Sequence, residues 1–256
     1  MLTKIDIHTF LENNGIKKSD TVLIHTSMKA IGEVEGGCDG VIDGFTSYLT
    51  EGLFLVPTHT WANVNTAQPI YDVRSTPPCI GALPTVAAFR KDGIRSLHPT
   101  HSLAAFGKRA REFVLDEEFA TSPCFLGGAW ARLYDEDAKI LLLGVGLDKN
   151  TYIHAVDEMI DLPNRLSEEK NLTIIDYDGN ERKVVYRSHS HATSQYFVNY
   201  KKPLDELGVL SYGKLGDATV TMMSTKELTH VLKKIWSNST YDITESYNEI
   251  PESYYL

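Results

Sequence analysis

The chain has few cysteines and no long apolar run. Its 256 residues include three cysteines, Cys38, Cys79 and Cys124, and no two of them form a CxxC pair. This spacing argues against a zinc ribbon or a dithiol redox site, and an odd number of cysteines is typical of a reducing compartment. No apolar stretch reaches the ~18 residues that a membrane span requires, and residues 1–14 lack the pattern of a signal peptide. We therefore expect a cytoplasmic protein with no membrane partner.

Basic residues are too scarce for a general nucleic-acid binder. The 34 acidic side chains exceed the 25 basic ones, which gives a net charge of −9. A protein that binds a phosphate backbone needs a basic surface to release counterions. An acidic protein instead attracts cationic ligands through its overall field. We therefore expect no nucleic-acid partner.

Apolar periodicity alternates between helix and strand patterns along the chain, and no linker interrupts it. Helices are predicted at 3–14, 39–50 and 84–92, from 150 or 151 to about 161, and from Ser224 onwards. Strands are predicted at 21–25, 53–58 and 139–147, with a later hairpin formed by 172–177 and 182–187. This order predicts one α/β domain over residues 1–256, with helices on both faces of the sheet and a late antiparallel hairpin. The irregular segment 61–80 is expected to be a functional loop.

The first catalytic candidate is His154, in the first turns of the helix that follows strand 139–147. Asp157 lies three residues on and shares its helix face, and Glu158 lies four residues on. A carboxylate at this range can hold one imidazole nitrogen and leave the other free as a base. The positive end of the helix dipole favours the neutral imidazole. From spacing alone, a histidine in this position is more often paired with a surface carboxylate and has no catalytic role.

The second candidate is the polar loop 95–102, which contains His98, His101, Ser96 and Ser102. Two histidines three residues apart suggest a metal pair, but the proline between them disfavours a continuous helix and spacing supplies no third ligand. Polar side chains and free amides on a loop suit the recognition of a phosphate or an amide. A loop that folds on its own hydroxyl groups is equally compatible with this pattern.

The third candidate is the turn after the first strand, where His25 is followed by Ser27 and Lys29. Ligands gather at the carboxyl ends of strands in open α/β sheets. Exposed amides, the serine and the lysine can receive an anionic ligand there. An ordinary strand-end turn with a surface lysine explains the same residues equally well.

Several segments together resemble one known family nearly end to end. They are VLIHTSMKAIGEVEGG, LFLVPTHTW, IRSLHPTHSLAAFGKRA, SPCFLGGAWARLYDEDAKILLLGVGLDKNTYIHAVDE and YGKLGDATVTMMSTKELTHVL. In this order they resemble the aminoglycoside 3-N-acetyltransferases, also called antibiotic N-acetyltransferases. The resemblance implies an α/β/α sandwich of that family's type with a mixed central sheet. It also implies acetyl-CoA as cosubstrate, no metal, and a role in antibiotic resistance.

The resemblance also assigns roles to individual residues. It implies direct transfer of an acetyl group from the thioester to an amine, with His154 as the general base. Asp157 stands where the family usually has a glutamate, which shortens the partner of His154 by one methylene. His25 matches a family position and is expected to be a second catalytic or positioning group. For the oxyanion that develops on the thioester, the amides of residues 26–28 and the Ser102 hydroxyl are the candidates.

Binding roles follow from the charges of the two substrates that the resemblance implies, the anionic coenzyme A and a cationic acceptor. The residues expected to bind coenzyme A are Ser27, Met28, Lys29, Ala30, Ser96 and Ser102. The residues expected to contact the acceptor are Glu158, Asp161 and His98. The expected partner is an aminoglycoside or another small molecule with an amine, and a homodimer is an open option.

Three alternatives remain open at this stage. The first keeps the fold and changes the acceptor to another amino sugar or a metabolite amine. The second is a metal-dependent hydrolase built on His98, His101, His189 and His191. The third is a non-catalytic coenzyme A-binding protein in which Asp157 has weakened the base.

Overall fold

The structure, a computed structural model, describes residues 1–190 and 193–256. The strands of the first half are β1 (Thr21–Thr26), β2 (Leu53–Pro57), β3 (Ile70–Asp72), β4 (Ile94–Arg95) and β5 (Leu103–Phe106). Those of the second half are β6 (Lys139–Leu143), β7 (Leu166–Ile175), β8 (Glu181–His189), β9 (Ser211–Leu215) and β10 (Ala218–Ser224). They form a seven-stranded and a three-stranded sheet.

The helices are α1 (Lys4–Asn13), α2 (Met28–Ile31), α3 (Gly37–Tyr48), α4 (Ala82–Phe89), α5 (Ala110–Phe113), α6 (Ala129–Asp135), α7 (Tyr152–Met159), α8 (Lys201–Glu206) and α9 (Thr225–Asn238). Two of the helices, α1 and α9, begin at the capping residues that the sequence predicts. Thr3 and Asp6 form a capping box at α1, and the Ser224 hydroxyl accepts the Glu227 amide at α9. Within the described residues, no helix is both long enough and apolar enough to cross a bilayer.

The seven-stranded sheet has parallel strands at its centre and antiparallel strands at both edges. Its order is β4-β5-β2-β1-β6-β10-β9, with β1 parallel to both β2 and β6. The three central strands therefore end at the same edge of the sheet. Strand β6 is the apolar run KILLL, and burial of both faces explains why it shows no alternation. The prediction of a mixed central sheet is confirmed.

Helices cover both faces of this sheet. On β6, Ile140 and Leu142 pack into one core with α6, α7 and α9. Leu141 and Leu143 pack into the opposite core with α1, α3 and α4. The predicted α/β/α sandwich is therefore confirmed, and α7 reaches the edge of the sheet on the first of these faces.

The predicted hairpin exists and is longer than expected. Strands β7 and β8 pair antiparallel, and the Asp176 carboxylate accepts the amides of Asp178 and Asn180 in the turn between them. Gly179 takes a φ of +88°, the left-handed conformation that favours glycine at such a turn. Strand β3, from the irregular segment 61–80, adds to β7 in parallel and was not predicted.

Candidate active site

A cavity of about 660 Å³ opens at the carboxyl ends of the three central strands. His25 and Thr26 line it from the end of β1, and His59 lines it from the segment after β2. Thr151 and His154 line it from the chain that follows β6. The parallel strands explain this convergence, because their carboxyl ends meet at one edge of the sheet.

Five histidines share the wall of this cavity. The rings of His59 and His101 have centroids 4.5 Å apart, those of His101 and His189 are 5.3 Å apart, and those of His189 and His154 are 4.0 Å apart. His25 lines the cavity beside them. Burial lowers the pKa of each ring, to about 3 for His25 and about 4 for His154 and His189. At neutral pH these five rings are therefore uncharged.

Asp157 lies beside His154 on α7 as the spacing predicted, but the two side chains are not hydrogen-bonded. The distance from His154 Nδ1 to Asp157 Oδ2 is 3.7 Å, and Arg165 Nε is 3.7 Å from the same oxygen. Burial raises the pKa of Asp157 to about 7, whereas burial lowers the pKa of His154. The neutral imidazole was predicted correctly, and desolvation is the main reason for it.

Glu158 does not line the cavity, which corrects its expected contact with an acceptor. Its carboxylate accepts a hydrogen bond from the Cys124 amide at 2.8 Å and another from the Ser122 hydroxyl. The remaining neighbour is His189, whose Nε2 is 3.5 Å from Glu158 Oε1. Glu158 therefore ties α7 to the loop before α6.

The acidic residue of the cavity is Asp148, which the sequence analysis did not select. Its side chain lines the cavity, and Lys149 Nζ lies 2.8 Å from its Oδ2. Asp161, which was expected to contact the acceptor, is exposed in the turn after α7 and does not line the cavity. Among the described residues, Asp148 is the only carboxylate of the cavity wall.

The expected contact between His98 and the acceptor is also corrected. The side chain is fully buried, and Nε2–H donates to the Ser122 carbonyl at 3.0 Å. Nδ1 accepts the amides of Thr100 and His101. Both ring nitrogens are therefore used to hold the loop, which places its neighbour His101 in the cavity wall.

Ser96 and Ser102 are internal hydrogen-bonding groups, so their expected contact with coenzyme A is corrected. The Ser102 hydroxyl is fully buried, donates to the Thr58 carbonyl at 2.8 Å and accepts from Arg95 Nε. The Ser96 hydroxyl accepts the Leu103 amide at 3.1 Å. Ser102 is also excluded as an oxyanion donor by these contacts. The loop folds on its own hydroxyl groups, the simpler of the two outcomes considered from sequence.

The turn after β1 starts next to the cavity wall. Thr26 lines the cavity, and the next residue, Ser27, caps α2 by accepting the Ala30 amide. The Ser27 amide donates to the Leu143 carbonyl at 3.0 Å, so it is not free to bind an oxyanion. Lys29 is exposed, while Met28 and Ala30 pack partly against the core. The role of these four residues in binding coenzyme A stays a prediction.

The metal set of the hydrolase alternative is not assembled in the described part of the chain. One group there has metal-ligand spacing, Cys124 with Glu158 and His189, and it includes neither His98 nor His101. His191, the fourth member of the expected set, lies outside the described residues. The buried Cys124 thiol has a pKa well above its usual value because of desolvation, which argues against a cysteine nucleophile.

His59 and its partner Thr151 are site residues that the sequence analysis missed. His59 Nε2 and Thr151 Oγ1 lie 3.0 Å apart across the cavity wall. His59 follows the second parallel strand, and His25 lies one residue before the end of the first. The rule that ligands gather at the carboxyl ends of strands is the sequence signal that predicts both histidines.

Comparison with known proteins gives a consistent result. Residues 23–237 match the family described as aminoglycoside 3-N-acetyltransferase. The SPbeta prophage-derived aminoglycoside N(3')-acetyltransferase-like protein YokD of Bacillus subtilis (strain 168) is 26% identical over 268 residues, covering 93% of each chain.

Two solved structures share the fold. A histidine-to-alanine variant of aminoglycoside acetyltransferase AAC(3)-IVa, in complex with gentamicin, has a TM-score of 0.78 and 23% identity, and the match covers 93% of this chain and 89% of that one. AAC-IIIb in a binary complex with CoASH has a TM-score of 0.77 and 19% identity, covering 89% of this chain and 93% of the other.

Proposed function

Because the chain belongs to the aminoglycoside 3-N-acetyltransferase family, we propose that it transfers the acetyl group of acetyl-CoA directly to the 3-amino group of an aminoglycoside, with His154 as general base. The observation that carries the proposal is the position of His154. Its uncharged ring lines a cavity at the carboxyl ends of the parallel strands. An uncharged imidazole there is able to accept a proton from an attacking amine.

His154 removes the proton that prevents the acceptor from reacting. An aliphatic amine is mostly ammonium at neutral pH and has no free electron pair for attack. Burial keeps His154 unprotonated, and the rings of His189 and Phe197 pack against it at 4.0 and 4.8 Å. The base is therefore held in one orientation, which lowers the entropic cost of proton transfer.

His25 is the group we assign to the developing oxyanion. It lines the cavity, and its Nε2 is buried with no hydrogen-bond partner among the described residues. With a pKa of about 3, the ring is uncharged and can donate a hydrogen bond without giving up the proton. A preorganised donor at this point stabilises negative charge on the carbonyl oxygen as the amine attacks.

The residues that line the cavity are chemically suited to the acyl donor, acetyl-CoA. Its apolar wall includes Ile24, Val56 and Val145, which suits a pantetheine chain. Ser27 and Lys29 come directly after Thr26, which lines the cavity, and their side chains suit the phosphate groups. AAC-IIIb, which shares the fold, was solved as a complex with CoASH. Acetyl-CoA supplies the activated thioester, and the chain supplies the base and the donor.

The acceptor is expected to be a cation. Asp148 places a carboxylate in the cavity wall, and the chain carries a net charge of −9. Both features favour a ligand with several ammonium groups. The AAC(3)-IVa variant with the same fold was solved with gentamicin. Another amino sugar with the same charge pattern is the alternative acceptor.

The test is a screen of acceptors at a fixed acetyl-CoA concentration. Each reaction is measured by the release of the free thiol of coenzyme A. We expect kanamycin or gentamicin to support thiol release, with a product acetylated at the 3-amino group by mass spectrometry and NMR. His154→Ala should lower kcat by ~10²-fold or more, the scale of a lost general base. His230→Ala, at an exposed histidine of α9, is the matched control and should retain activity. Near-normal turnover in His154→Ala, or no thiol release across the panel, contradicts the proposal.

A further inference from the structure

Three potential metal ligands meet behind the histidine wall of the cavity. They are the thiol of Cys124, the carboxylate of Glu158 and the imidazole of His189, and one ligand atom from each lies within 4.8 Å of the other two. They come from the loop before α6, from α7 and from the end of β8. The Cys124 residue is 1% exposed and the Glu158 side chain 7%, so this is an internal cluster.

The distance between His189 and Glu158 is long for a hydrogen bond. His189 Nε2 lies 3.5 Å from Glu158 Oε1, and this nitrogen is buried with no hydrogen-bond partner among the described residues. A buried polar nitrogen without a partner costs free energy. Zinc bonds of about 2.0–2.1 Å to nitrogen and oxygen at the tetrahedral angle put the two ligand atoms ~3.3 Å apart. The observed distance is therefore close to that of two ligands sharing one zinc ion.

We propose that Cys124, Glu158 and His189 bind a zinc ion, with water as the fourth ligand. A thiolate, a carboxylate and an imidazole suit zinc, whereas calcium and magnesium prefer all-oxygen sites. The thiolate and the carboxylate together balance the two positive charges of the ion. Loss of the thiol proton accompanies binding, as in other cysteine sites.

Hydrogen bonds from neighbouring residues hold the Glu158 carboxylate of the cluster in place. The Cys124 amide donates to Glu158 Oε1 at 2.8 Å, and the Ser122 hydroxyl donates to the other oxygen. These contacts orient the carboxylate in the way that outer partners orient metal ligands. His189 also lines the cavity, which gives an ion a path from solvent.

The site adjoins the proposed base, because the His189 ring stacks on His154 at 4.0 Å. Binding of zinc needs only the three ligands, so it does not depend on the proposed function.

The test measures zinc binding to the full chain, in a non-thiol reductant, by competition with a chromophoric chelator. We expect one equivalent to bind to the wild type. Cys124→Ser and Glu158→Gln should each weaken binding by about 10-fold or more. Cys38→Ser, at a cysteine of α3 outside the cluster, is the matched control and should bind as the wild type does. Cobalt substitution should give a thiolate charge-transfer band that Cys124→Ser abolishes.

Equal zinc affinity in wild type and Cys124→Ser, with both folded by circular dichroism, overturns the proposal. Absence of the thiolate band in cobalt-loaded wild type overturns it as well, and that measurement needs no variant to fold. A protein that binds zinc but transfers no acetyl group in the presence of a chelator contradicts the proposed function and leaves the zinc site standing.

Discussion

The imidazole ring of His189 stacks on that of His154, with centroids 4.0 Å apart and planes inclined by 27°. Phe197 closes a second side of His154 with an edge-on contact at 4.8 Å. The nearest oxygen of Asp157 lies 3.7 Å from Nδ1, beyond hydrogen-bond range. Aromatic packing rather than a carboxylate therefore orients the base in the free protein.

Replacement of His189 tests this packing. His189→Ala removes the stacked ring, frees His154 to change rotamer and should lower kcat by ~10-fold or more, because small misplacements of a catalytic group are costly. His189→Phe restores a stacked ring and should retain most of the activity. Steady-state kinetics in the presence of a chelator measure both variants. Equal losses in the two would show that stacking does not orient the base.

Asp157→Glu tests whether the short carboxylate limits the base. One added methylene can close the 3.7 Å gap to Nδ1 and form the hydrogen bond that Asp157 lacks. We expect kcat to rise several-fold at neutral pH. The site is 1% exposed, so the larger side chain should also lower stability by about 1–3 kcal/mol.

Kinetics and urea unfolding of the same Asp157→Glu preparation separate these two effects. Asp157→Asn is the comparison, because it keeps the shape of the side chain and removes the charge. If kcat of Asp157→Glu stays at the wild-type value while stability falls, the carboxylate is not limiting.

Local sequence patterns predict the centre of the fold and miss its edges. Strand β6 and helix α7 have strong apolar patterns because each of them buries its own side chains in the core. Strand β9, with the sequence SYGKL, is mostly exposed and forms because β10 pairs with it. Strand β3 likewise exists through its pairing with β7. An edge strand that forms through pairing with its neighbour has no strong sequence pattern from which it can be predicted.

The site was predictable where a strand end determines it. His25 lies at the end of one buried strand and His154 on the helix that follows another, and both line the cavity. Ser102 and His98 were assigned wrongly because chain order does not show which hydroxyl or ring is already bonded inside the protein. Their partners, such as the Thr58 and Ser122 carbonyls, are distant in sequence and become visible only in the structure.

Glu117 should make stability depend on pH. The residue is fully buried, and desolvation raises its pKa from 4.5 to about 7. A carboxyl whose folded pKa is raised stabilises the protein below the unfolded pKa, and this contribution is lost as pH rises through about 7. Ionisation should therefore cost roughly 3 kcal/mol at pH values above 7.

Glu117→Gln removes this titration and keeps an oxygen for the Ala129 amide, which lies 2.7 Å from Oε1. We expect the variant to be more stable than the wild type at pH 8 and to show a flatter profile between pH 5 and 8. Urea unfolding at both pH values measures this. Glu118→Gln, at the partly exposed neighbour, is the control for a general charge effect. A parallel loss of stability in wild type and Glu117→Gln would rule out Glu117 as the source.

Asp148 is the carboxylate that we expect to bind a cationic acceptor. Asp148→Asn removes the only acidic group of the described cavity wall and leaves Lys149, 2.8 Å away, without its partner. The first change removes an attraction for an ammonium group, and the second adds a repulsion. KM for the aminoglycoside should therefore rise ~10-fold, with kcat and KM for acetyl-CoA little changed. The increase in KM should shrink at high ionic strength, because salt screens the lost attraction.

Asp161→Asn is the matched control, since it makes the same chemical change in the exposed turn after α7. Asp161 has a φ of +51°, a conformation that asparagine also tolerates, so the backbone should be preserved. Because Asp161 does not line the cavity, its KM for the acceptor should stay at the wild-type value. A larger rise in KM for Asp161→Asn than for Asp148→Asn would mean that the acceptor binds over the end of α7, and the cavity would then hold only the acyl donor.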